Sequence, residues 1–140
     1  MKDFKSFVLC SLLLLSSCQG NKPAKSEGHE EGKLIYTKYC LACHQEDGSG
    51  VPGMYPPLGK TDWVAGDKNK LIGVVLHGLE GEITVNGQVY KTAMPAHPYL
   101  NDQQVADVLT FVRKSFGNQA EPILPAEVAF VRNQPKEPDE

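Results

Sequence analysis

The chain lacks several things, and each absence narrows what it can be. It has no apolar run near the ~20 residues that a membrane-crossing helix needs; its longest, "FVLCSLLLL", covers residues 7–15. It has no excess of positive charge: 14 Lys and Arg stand against 17 Asp and Glu, for a net −3. That balance excludes the basic footprint of a nucleic-acid-binding protein. There is no long block of one sign and no internal repeat, so neither a charged interaction tail nor a solenoid is expected. Cysteine is scarce. Cys10, Cys18, Cys40 and Cys43 are all there are; the first two fall in the amino-terminal segment, so the expected domain has no second spaced pair beside Cys40 and Cys43, as a structural zinc site usually requires.

What is present begins at the amino end. Lys2 and Lys5 precede the short apolar run, and its length fits the apolar part of a secretory signal. "LSSC" (15–18) resembles the bacterial lipobox: an apolar residue, two small ones, then cysteine. That resemblance implies removal of residues 1–17 and acylation of Cys18, with buried acyl methylenes holding the chain on a bilayer. Gln19, a non-acidic residue after the lipidated position, leans toward the outer membrane. The chain is therefore expected in the cell envelope, facing the periplasm. Residues 18–29 are polar and read as a flexible tether. Residues 30–117 form the expected folded core, and 118–140, with four prolines, read as an extended tail. Ile123, Leu124, Phe130 and Val131 are its candidates for contact with the core surface.

Inside the core the pattern is mostly helical. Residues 29–44 carry apolar or aromatic side chains at 35, 36, 39 and 43, near a 3.6-residue period, after Glu30 and Glu31. Residues 45–60 hold four glycines and three prolines and must be a loop. A second helix is expected over 66–79, capped by Asp67, with Leu71, Ile72, Val75 and Leu79 on one face. Asn86-Gly87 within 82–90 signals a hairpin with a type I′ turn. Over 101–117, Asn101 and Gln104 can form a capping box. Val105, Val108, Leu109, Val112 and Phe116 make the apolar face, and Gly117 closes the helix. A core of about 88 residues is small, and such domains usually gain stability from a cofactor or disulfides.

"YCLACHQ" (39–45) supplies the chemistry. A disulfide between Cys40 and Cys43 is conceivable in an oxidising compartment, but it leaves His44 unexplained. A thioredoxin-like pair needs a βαβ setting that the flanks do not offer. C-x-x-C-H reads instead as covalent attachment of one haem c. The two thiols lie about one helical turn apart and add to the vinyl groups, and His44 is the adjacent iron ligand. The sixth ligand must come from Met54, Met94, His29, His77 or His97. Met94 is favoured, because Pro95 and Pro98 stiffen a loop just before the last helix; His97 is its rival.

These features together resemble a class I cytochrome c of the bacterial single-haem type. The resemblance spans the core and rests on Gly32-x-x-x-Tyr36-x-x-x-Cys40, "CLACH" (40–44), "YPPL" (55–58), "GLEGEITVNGQVY" (78–90), "MP" (94–95) and "LNDQQVADVLTFVRKSFGN" (100–118). It implies an all-α fold of three to four helices around a covalently bound haem, with one small β-hairpin. It further implies that Gly32 lets the first and last core helices cross, with Tyr36 and Phe111 in that contact. Pro56 would accept a hydrogen bond from His44, and Leu58 would pack on the haem. Trp63 and Tyr90 would reach a propionate, and His44 and Met94 would bind iron. The activity it implies is electron transfer, not catalysis. The expected partners are a dehydrogenase or quinol-oxidising complex on one side and an oxidase or reductase on the other. The alternative is a haem enzyme or ligand sensor with an open sixth position.

Overall fold

The computed structural model describes residues 27–135. The expected leader, the acylated Cys18 and all but the end of the expected tether lie outside the described residues.

Helix α1 (Glu27–Tyr39) runs to the cysteine motif. There the chain turns at Cys40 and re-enters a single turn, α2 (Leu41–His44). Cys40 keeps the helical path alive across the turn, since its carbonyl accepts from the amides of Cys43 (3.2 Å) and His44 (2.9 Å). A glycine-rich loop leads to the four-residue α3 (Asp62–Ala65), capped by the Thr61 hydroxyl, which accepts from the Val64 amide. Helix α4 (Lys68–His77) is capped by Asp67 and stops at Gly78, which takes a positive φ. Strands β1 (Ile83–Val85) and β2 (Gln88–Tyr90) pair antiparallel about Asn86-Gly87, both at positive φ, as the type I′ reading requires. Helix α5 (Asp102–Lys114) opens with the full Asn101–Gln104 capping box. Helix α6 (Pro125–Arg132) follows.

The fold is all-α with one two-stranded sheet, as the sequence implies, but the helix count is six among the described residues rather than three to four. None of these helices is long and apolar enough to cross a membrane.

The main packing event is the crossing of α1 over α5. It is possible because Gly32 has no side chain. A Cβ there would stand 2.2 Å from the Asp107 carbonyl oxygen and 2.8 Å from the Phe111 Cβ. The aromatic rings of Tyr36, Phe111 and Phe116 close around this crossing, with centroids 5.3–5.7 Å apart. His29, expected in the tether, belongs to α1 and sets its ring edge-on against Phe111 at 5.1 Å.

Two corrections fall on the carboxyl end. Residues 125–132 are not extended but helical: Pro125 occupies the first turn of α6, where its missing N–H costs nothing. The Glu127 carboxylate accepts from the Leu124 amide (2.7 Å), holding the start of the helix. The contact residues differ in part: Ile123 and Val131 are as expected. Ile123, Val128 and Val131 are buried against the core, whereas Leu124 and Phe130 face outward. Asn118 begins the segment and is itself buried. It accepts from the Lys60 amide (2.7 Å) and donates to the carbonyls of Leu58 (2.9 Å) and Val112 (2.8 Å).

Candidate functional site

The helices and the loop after α2 line a strongly apolar cleft. Cys40, Cys43 and His44 stand together in its lining, and Met94, Pro56, Leu58 and Trp63 also line it. Both cysteines are half-buried free thiols. Burial pushes the Cys40 thiol up to about 11, with the neighbouring Cys43 adding to the rise. The Cys40 thiol therefore stays protonated at neutral pH.

His44 is buried, and its Nδ1–H donates to the Pro56 carbonyl at 3.0 Å. That bond fixes the tautomer and leaves Nε2 as a lone-pair donor toward a metal. Burial holds the imidazole below its ordinary pKa, although the Pro56 carbonyl pulls the other way. The Pro56 carbonyl owes its position to Gly50. That residue has φ +64°, its amide bonds the His44 carbonyl at 3.0 Å, and a Cβ on it would lie 2.6 Å from the Pro56 oxygen.

Met94 is carried on a rigid piece of backbone. Its amide donates to the Leu79 carbonyl (2.9 Å), and its carbonyl accepts from the Leu79 amide (3.0 Å). Gly78 allows this close approach, since its Cβ would sit 2.7 Å from the Met94 carbonyl oxygen at a φ of +76°. The Met94 side chain is half-buried against the core.

The rivals separate. Met54 is exposed and outside the cleft, and His29 and His77 do not line it either. His97 does line it and is buried, but its Nδ1 is engaged with the Tyr99 hydroxyl at 2.6 Å. Of the two aromatic residues expected to reach a propionate, Trp63 lines the cleft but donates its indole N–H to the Thr84 carbonyl (3.0 Å). Tyr90 does not line it: it is buried under the hairpin, and its hydroxyl donates to Gln88 Oε1 at 3.1 Å.

Other cleft residues were not foreseen. Thr61, Val64, Val74 and Val108 come from three separate helices and their flanks, and only the tertiary fold brings them together. Tyr36 has a dual place, lining the cleft while its hydroxyl donates to the Gln45 carbonyl at 2.6 Å.

The residues fit a haem. The lining is apolar, two thiols and an imidazole with a free Nε2 share one side, and a thioether is held near them on fixed backbone. A zinc site does not fit: among the described residues no three His, Cys, Asp or Glu side chains are clustered as its ligands.

Comparison with known proteins agrees with this geometry. The family model described as Cytochrome c matches residues 29–116. Cytochrome c-552 of Thermus thermophilus is 37% identical over 92 residues, covering 63% of this chain and 70% of that protein. The gluconate 2-dehydrogenase cytochrome c subunit of Pantoea cypripedii is 40% identical over 114 residues, covering 77% of this chain. The quinone-dependent alcohol dehydrogenase cytochrome c subunit of Gluconacetobacter polyoxogenes is 40% identical over 92 residues. The chain spans only 25% and 19% of the length of those two subunits.

Proposed function

Because the chain belongs to the cytochrome c family and so binds covalent haem c, we propose that it is a single-haem electron carrier with His44 and Met94 as axial ligands. Bound haem supplies a one-electron iron couple. The protein's own residues do the rest. Cys40 and Cys43 hold the group through thioether bonds. His44, oriented by Pro56, donates Nε2 to the metal. Met94 would offer its sulfur from the loop that pairs with Leu79, and a thioether there would raise the potential relative to a second imidazole. The apolar lining keeps water from the site, which favours the less charged oxidation state.

The single observation that carries the ligand assignment is the paired Leu79–Met94 backbone hydrogen bonds, which hold the thioether at the cleft wall. Replacing Met94 with Ala should open the sixth position: the reduced protein should bind carbon monoxide, and its potential should fall. Carbon monoxide bound equally well by the unaltered protein would instead support the open-iron reading.

The carrier would take electrons from a dehydrogenase or quinol-oxidising complex and pass them to an oxidase or reductase. Cytochrome subunits named for gluconate and alcohol dehydrogenases support the first half of that path. The acidic balance of the chain suits a partner with a basic docking patch. The lipobox-like "LSSC" supports a carrier acylated at Cys18 and held on the periplasmic side of a membrane, the outer membrane being favoured by Gln19.

A further inference from the structure

Arg132 lies near the end of α6, outside the family-matched residues 29–116. All three of its guanidinium nitrogens are used, and all on the same short stretch of chain. Nε donates to the Asp102 carboxylate at 2.7 Å, Nη1 to the Pro98 carbonyl at 3.1 Å, and Nη2 to the Leu100 carbonyl at 2.6 Å. That stretch is where the Met94 loop ends and α5 begins.

The loop needs such a hold. Pro95 and Pro98 have no N–H to donate. Between Met94 and Asn101 its backbone amides make two bonds, His97 to the Val75 carbonyl (2.8 Å) and Leu100 to the His97 carbonyl (3.2 Å). The Leu79 pairing secures the near end, and among the described residues Arg132 is the one side chain that donates to carbonyls at the far end. A planar fork served by three acceptors is a directional restraint that a flexible ammonium does not reproduce.

We propose that Arg132 is a positioning residue for the sixth ligand: α6 acts as a strap whose guanidinium holds the Met94 loop closed over the cleft. This rests on the assignment of Met94 as that ligand. An external ligand can bind only when the loop releases Met94, so its apparent affinity reports the open fraction.

The test is imidazole binding to the oxidised full-length holoprotein, followed optically at fixed pH, in four variants beside the unaltered protein. Arg132→Gln removes the fork, and imidazole should bind about tenfold more tightly, the scale of losing charge-assisted hydrogen bonds. Arg132→Lys retains the cation beside Asp102 but not the three-way fork, and should gain affinity by an intermediate factor. Should the Gln variant fail to assemble, the Lys variant carries the test alone. Glu82→Gln removes a carboxylate from an exposed pair with Lys91 (2.8 Å) at the hairpin, away from α6, and its affinity should stay that of the unaltered protein. Met94→Ala should bind imidazole most tightly of all.

Unchanged affinity on altering Arg132, or an equal gain in the Glu82 variant, overturns the strap while leaving Met94 in place. No gain in Met94→Ala removes the ligand assignment, and the strap with it.

Discussion

His97 is buried three residues beyond Met94, and burial holds its imidazole below the ordinary pKa of 6.5. The sign of the consequence follows from proton counts. The unfolded chain protonates His97 below about pH 6.5 while the folded chain resists, so stability is complete above that pH and lost as pH falls toward the folded pKa. Denaturation midpoints of the holoprotein measured between about pH 7 and pH 5 should fall, and His97→Asn should flatten that fall. At this same scale the sequence was most informative about chemistry. The spacing of Cys40, Cys43 and His44 is local, so it could be read directly. Pro56 came only through the family resemblance, because twelve intervening residues have to fold back to place its carbonyl on His44. Trp63 and Tyr90 show the opposite limit: residue type says an aromatic N–H or O–H needs a partner, and the structure gives each one within or beside the hairpin.

Among the elements, those with a cap written into the sequence were legible. Asp67, Asn101 with Gln104, and Asn86-Gly87 each satisfy backbone groups locally, and each is found where expected. Helix α3 escaped because four residues hold no period. Helix α6 escaped because its prolines suggested extension, although Pro125 sits at the one helical position that favours it. The crossing of α1 and α5 depends on one missing side chain. Gly32→Ala would drive a methyl into the Asp107 carbonyl and part the helices. A loss of about 2–3 kcal/mol is expected, measurable by denaturant unfolding of the holoprotein. A variant as stable as the parent would mean that the crossing is looser than described.

For the whole molecule, the cleft takes up the middle of the domain, and α1, α4 and α5 each turn residues toward it. Cofactor and core are thus the same object, which a pattern of helical stripes cannot reveal, since an apolar face looks alike whether it meets a helix or a porphyrin. A domain of this size has little other apolar area to bury. The chain expressed without haem attachment should therefore be largely unfolded, with far-ultraviolet circular dichroism well below that of the holoprotein. Near-native helicity would show that the helices close without the group.

The paired hydrogen bonds between Leu79 and Met94 bear on speed as well as on structure. When an electron arrives or departs, every atom whose preferred position differs between the two charge states must shift, and that shift sets the barrier. A sulfur borne on a backbone anchored in both directions has little freedom to wander. The molecule is built to change charge while scarcely changing shape.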